Sequence, residues 1–116
     1  MKLTALLAFM LFAMPALAQD GTANFALKGC KAYAQSTPIS VEPRSQAYCI
    51  GVVQTVHAFS SLINGPHYRS CVPGNVNIEQ MMLIVVAYLE KRPERLHEGF
   101  PYLTAEAFAK SWPCKD

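Results

Sequence analysis

From residue 78 onward the apolar positions Ile78, Met81, Met82, Val85, Val86 and Leu89 recur every three or four residues, the period of one buried helical face. Asn77, with Gln80 three residues on, resembles a capping box in which Asn takes the usual Ser or Thr place. Glu90-Lys91-Arg92 carries the segment into solvent, and Pro93 prevents simple continuation. A second such face runs from about Arg44 to Ile63, through Cys49, Val52, Val53, Val56, Phe59 or Ser60, and Ile63. Its valines also suit a strand, but length and period favour a helix. Pro43 can open it, because the missing N–H would have no partner there anyway. Asn64-Gly65-Pro66 ends this helix, and a loop continues to Gly74. Two shorter helices are expected. One is Asn24 to Ala34, with Phe25, Leu27, Cys30 and Tyr33 as larger apolar positions, closed by Ser36-Thr37-Pro38. The other is about Leu103 to Trp112, where Thr104-Ala105-Glu106 suits an N-terminal turn and Pro113-Cys114 follows. The chain carries no internal repeat and no low-complexity linker. The pattern predicts an all-α, four-helix domain.

The first residues follow a different logic. Lys2 gives a positive start, Leu3 to Phe12 an apolar run, Met14-Pro15 a break, and Ala16-Leu17-Ala18 a small-x-small site before Gln19. That order predicts a secretory signal peptide over residues 1–18, cleaved after Ala18. A buried N-terminal helix would account for the apolar run but not for the break and the small residues after it. The run is also too short for a mature transmembrane helix, which needs about 20 apolar residues, so no membrane attachment is expected after cleavage. No cysteine follows the cut to carry a lipid. Residues 19–116 are then a single exported domain, expected in the periplasm.

Removing the leader changes the reading of composition. Of the 116 residues 98 remain, and the 52% hydrophobic content of the whole chain is inflated by the leader. Without Lys2 the chain has nine Lys and Arg against eight Asp and Glu, a net charge of +1 with no charge blocks. Nucleic-acid binding needs a basic stripe, and none is visible in the sequence. A domain of this size buries a modest core and gains much from covalent staples. Cys30, Cys49, Cys71 and Cys114 all lie in the mature part, and an even count in a short exported chain reads as two disulfides. Structural zinc sites use close pairs, whereas the gaps here are 18, 21 and 42 residues, so no metal is expected. If the first two helices are antiparallel, Cys30 and Cys49 sit at one level. An antiparallel second pair likewise brings Cys71, before the third helix, to Cys114, after the fourth. A Cys49–Cys71 bond would have to span most of a helix, far beyond the ~5.5 Å Cα separation a disulfide tolerates. The expected pairs are Cys30–Cys49 and Cys71–Cys114.

Candidate chemistry is sparse. There is no G-x-S-x-G elbow, H-E-x-x-H, P-loop or glycine-rich dinucleotide turn, and hence no expected cofactor. His57 and Ser61 are one helical turn apart, but His57 fits the edge of a packed face. His97-Glu98 fits a solvated turn or a local hydrogen bond, and Met81-Met82 falls on the core stripe. Paired cysteines leave no reactive thiol. No enzyme is expected. The segment from Asn64 to Ser70 stands apart: Asn64, Pro66, His67, Tyr68 and Arg69 combine a fixed turn with an aromatic ring and a guanidinium, the residue types that anchor protein interfaces. Cys71 would tether that loop and preorganise it.

Several residues together resemble a known family. Cys49-x-Gly51 opens one helix and Cys71-x-Pro73 precedes the next. Gln80, Val85-Val86, Tyr88-Leu89, Pro93-Glu94-x-Leu96-His97 and Trp112-Pro113-Cys114 follow in order. The set is similar to the periplasmic immunity proteins of type VI secretion amidase effectors, the Tai family, over about Cys30 to Cys114. The chain departs from that pattern at Val52 and Thr55, where the family usually has an aromatic and a second small residue. The resemblance implies a helical protein, acting as a homodimer, that binds a cell-wall amidase effector and blocks its active-site groove. By analogy the loop Asn64 to Ser70 is the plug or part of it. The competing expectation is a periplasmic acid-stress chaperone or another client-binding helical protein, which would expose apolar surface at low pH.

Overall fold

Four α-helices carry the described residues, 21–115, of this computed structural model: α1 Ala23–Ala34, α2 Pro43–Phe59, α3 Ile78–Glu90 and α4 Phe100–Ser111. A short 3-10 turn, Pro93–Arg95, lies between α3 and α4. The expected signal peptide and its cleavage site fall outside the described residues. The architecture is the expected all-α one, stapled by disulfides Cys30–Cys49 and Cys71–Cys114 as the helix geometry required. Among the described residues no helix is long and apolar enough to cross a membrane.

The closest helix pair is α1 against α2, and a glycine permits it. A Cβ on Gly29 would fall inside the backbone of Ser45 and Gln46. The hydroxyl of Ser45 donates across this seam to the Phe25 carbonyl at 2.7 Å, and the buried Gln46 amide donates to the carbonyls of Thr37 and Pro38 at 3.2 and 3.3 Å. These bonds satisfy polar groups that would otherwise be costly at a buried contact. The Cys30–Cys49 bridge, Cα to Cα 5.5 Å, crosses the same seam and is fully buried. Its Cys49 sulfur lies 3.3 Å from Met82 Sδ, a packing contact, since a disulfide sulfur has no proton to donate.

The helix α3 closes the core from the other side with Met81, Met82, Val85 and Leu89, four of the six positions on its predicted stripe. Its capping box is present in both directions: Gln80 N–H donates to Asn77 Oδ1 at 2.9 Å, and Asn77 N–H donates to Gln80 Oε1 at 3.4 Å. The remaining wall comes from Phe100, Leu103, Ala107 and Phe108 of α4. Truncating a buried Phe such as Phe108 to Ala typically costs about 3–5 kcal/mol, so this wall contributes heavily to a small core.

Two boundaries differ from the pattern. The helix α2 ends at Phe59 rather than Ile63, where Ser60 and Leu62 N–H donate only three residues back, to the His57 and Phe59 carbonyls at 3.3 and 2.9 Å, and the helix tightens into turns. Phe59 is 56% exposed while Ser60 is buried, so the inward position belongs to the serine. The helix α4 starts at Phe100, not Leu103, with Pro101 in its first turn, where a proline lacks nothing. Thr104 therefore lies inside the helix, buried, with its hydroxyl donating to the Phe100 carbonyl at 2.9 Å.

The start of α1 is docked on the far end of the chain. Ala23 and Asn24 N–H donate to the carbonyls of Glu98 and Leu96 at 3.0 and 2.8 Å, and Phe100 N–H donates to the Gly21 carbonyl at 2.9 Å. Helix-initiating amides have no partner within their own helix, and these carbonyls supply one.

Candidate partner-binding surface

Between α2 and α3 the chain makes a closed excursion. Ser70 N–H donates to the Ser60 carbonyl at 3.1 Å, which pinches the base, and both serines are buried there. Gly65 turns the tip with a φ of +102°, a conformation that favours glycine. Tyr68 and Arg69 N–H then both donate back to the Gly65 carbonyl, at 3.2 and 3.0 Å. Arg69 Nε donates to the Ser61 carbonyl at 3.2 Å, bracing one limb against the other. Just past the base, Cys71 is bonded to Cys114, and its N–H donates to the Trp112 carbonyl at 2.9 Å. The loop is thus tied at three levels to fixed helices.

The five residues singled out in the sequence do not all face the same way. Asn64, Pro66, His67 and Arg69 are exposed. Tyr68 is half-buried, and its ring meets that of Tyr102 on α4 edge-on, with centroids 6.2 Å apart. Part of what Tyr68 and Arg69 do is therefore internal: they hold the loop in shape. Pro66 and His67 form one wall of a cleft of about 330 Å³, opposite Tyr88, Glu106, Ala109 and Lys110.

The floor of this region is an ion-pair network that spacing along the sequence does not reveal. Arg95 reaches Glu106 with two parallel bonds, 2.7 and 3.1 Å, and Glu98 with two more, 2.6 and 2.9 Å. The Tyr88 hydroxyl donates to Glu106 Oε2 at 2.7 Å. Hydrogen bonds from Arg95, aided by Tyr88 and opposed by partial burial, hold the Glu106 carboxyl below the usual carboxylate range. Arg95 lowers Glu98 in the same way. Burial, and then the Glu106 carboxylate, push the Tyr88 hydroxyl up. Glu98, read beside His97 in the sequence, is held by Arg95 instead. No hydrogen bond links His57 to Ser61, and among the described residues no cluster of His, Cys, Asp and Glu is arranged to hold a metal. Such bidentate pairs fix the 3-10 turn to α4. Arg95 was not singled out from the sequence: Glu98 lies three residues from it, a local spacing that could have pointed to the pair, but Glu106 is eleven residues away, and the fold brings it in.

A match to the family model of the Rap1a immunity proteins covers residues 22–114, nearly all of the described chain. The chain belongs to the Rap1a immunity protein family. No curated protein and no solved structure matches it. Both disulfides, all four helices and the tethered loop of this Rap1a-family chain lie inside the matched span. Membership makes it an immunity protein, which acts by binding an effector protein.

Proposed function

We propose that this immunity protein works in the periplasm, where it binds and inhibits a type VI secretion peptidoglycan amidase by presenting the loop Asn64 to Ser70 to the enzyme's active-site groove. The observation that carries the reading is the tethering of that loop. It is pinched by Ser60 and Ser70, braced by Arg69 on Ser61, and tied to α4 through Tyr68 and the Cys71–Cys114 bond. A plug that is already ordered loses little freedom on binding, and so keeps more of its contact energy as affinity. The Ala16-Leu17-Ala18 leader and the paired cysteines fit an oxidising compartment, the one in which a delivered amidase meets the cell wall. Inhibition is non-catalytic in this reading, and the working species is a homodimer.

The test is inhibition of purified amidase by the wild-type domain and by Tyr68→Ala with Arg69→Ala, with folding checked by circular dichroism. Loss of inhibition by a folded variant supports the loop as the plug. Undiminished inhibition by that variant removes the loop from the interface. Sedimentation of the free protein and of the complex tests the dimer.

A further inference from the structure

Lys110 stands between two clefts. One is the 330 Å³ hollow that it shares with His67, Tyr88 and Glu106. The other, of about 260 Å³, has Ile84, Ala87 and Tyr88 as its less polar lining, with Lys91 and Arg92 at its edge. A third hollow, lined by Pro66, Arg69 and Pro113, joins the first at Pro66. The loop and the facing sides of α3 and α4 thus form one concave surface, carrying Arg69, Lys91, Arg92 and Lys110.

The carboxylate on this surface, Glu106, is already countered by Arg95 and Tyr88. Other acidic groups are turned elsewhere: Glu90 pairs with Lys31 of α1 at 3.1 Å, and Glu79 lies at the Tyr33 hydroxyl. Four cations, Arg69, Lys91, Arg92 and Lys110, therefore line this surface against one countered carboxylate, although no basic run exists in the sequence. One of these cations is also fixed in place. The Arg92 guanidinium lies 3.7 Å from the centroid of the Tyr88 ring, and its Nη1 donates to the Tyr88 carbonyl at 3.0 Å. A stacked guanidinium has lost its freedom before a carboxylate arrives, which makes it a stronger anchor than a mobile one.

We infer that this face, from the loop across to Lys91, Arg92 and Lys110, receives an acidic surface of the effector, whose carboxylates seat in the two clefts beside Lys110. The inference rests on the immunity reading above and assigns the chemistry of the partner's side. A protein fits better than a polyanion or an anionic membrane. The positive groups surround separate concavities, one of them with an apolar wall of Ile84 and Ala87, and a fixed carboxylate, Glu106, sits among them.

The test uses the exported chain and purified type VI secretion peptidoglycan amidases. Association rates are measured at low and high ionic strength for the wild type, Lys91→Glu with Lys110→Glu, and Lys28→Glu on α1 as a control. Carbodiimide coupling, which joins amines to carboxylates in direct contact, maps the complex. The expected result is association slowed about tenfold or more by the double reversal at low salt, with a flattened salt dependence. Lys28→Glu should leave the rate unchanged, and Lys91 or Lys110 should couple to amidase carboxylates. If the amidase binds but the reversed chain associates at the wild-type rate and coupling maps elsewhere, the assignment of this face is overturned while the immunity reading stands. If the wild type does not bind the amidase, that reading fails and takes the inference with it. Binding to phosphatidylglycerol vesicles that depends on Lys91 and Lys110, without binding to the amidase, would make the face a membrane site and likewise overturn it.

Discussion

The main-chain N–H of Cys71 donates to the carbonyl of Trp112 at 2.9 Å, two residues short of the Cys114 to which Cys71 is bonded. This cross-link holds both the base of the loop and the end of α4. The Cys71 residue is exposed, whereas Cys30 and Cys49 are wholly buried. Attack by a thiolate needs access to a sulfur. Graded dithiothreitol followed by alkylation and mass spectrometry should therefore label Cys71 and Cys114 before Cys30 and Cys49. Simultaneous labelling of all four would show that the domain opens globally before either bond is reached. Chain entropy assigns the two bonds roughly 4 and 3 kcal/mol respectively.

Gly29 should be among the least replaceable residues. In Gly29→Ala the new methyl meets backbone atoms of Ser45 and Gln46, which cannot rotate away as a side chain would. The helices must separate, and the Ser45 to Phe25 hydrogen bond stretches with them. Overpacking of this kind costs about 3 kcal/mol. For a domain of this size that lowers Tm by about 12–24 °C. Thermal unfolding checks it; an unchanged Tm would show that the α1–α2 contact is looser than described. Gly51→Ala is the internal control, because nothing lies within 4 Å of a Cβ there.

The Arg95 network predicts a direction for acid sensitivity. The Glu106 carboxyl is held below its ordinary value by Arg95. The native state therefore releases its proton more readily than the unfolded chain does. Its contribution is fully present above the unfolded value, about 4.3, and is lost as pH falls through the lower native value. Tm should fall on acidification below about pH 4.3, and Glu106→Gln should flatten that fall while lowering Tm at neutral pH. Parallel curves for the two proteins would assign the acid sensitivity to other groups.

The loop predicts opposite outcomes at its tip and its base. Gly65→Ala places a side chain at a φ of +102° and should cost about 1–3 kcal/mol, with loss of partner affinity to match. Ser70→Ala should cost almost nothing or stabilise, because the buried Ser70 hydroxyl has no hydrogen-bond partner to lose. A large destabilisation in Ser70→Ala, read by urea titration, would reveal a bond to that hydroxyl.

Much of the fold was legible because it depends on local rules. The Ile78 to Leu89 stripe, the Asn77–Gln80 box and the proline at the start of α2 each act within a few residues, and all three are present. The disulfide pairing followed from helix order, an antiparallel arrangement of each pair and the length of α2. The misplaced boundaries are local too: Phe59 and Ile63 continue the apolar period, but Gly65 and Pro66 impose the turn sooner. Three features were not legible, because each joins distant positions. Gly29 matters only against Ser45, Arg95 only through Glu106, and the cationic face only once Arg69, Arg92 and Lys110 converge. The loop was found from its composition, yet the half-burial of Tyr68 against Tyr102 depends on where α4 passes.

The docking of the first helix on the last has a temporal consequence. The N–H groups of Ala23 and Asn24 find their acceptors at Glu98 and Leu96, and the Gly21 carbonyl finds its donor at Phe100. A chain emerging N-terminus first, from a ribosome or through a translocation channel, presents α1 long before those partners appear. The opening segment must wait, unfinished, until some 75 residues have followed, a loop whose closure entropy has to be met before the contact stabilises anything. Completion of this end of the core is therefore late, whatever the α1–α2 pair has formed before it.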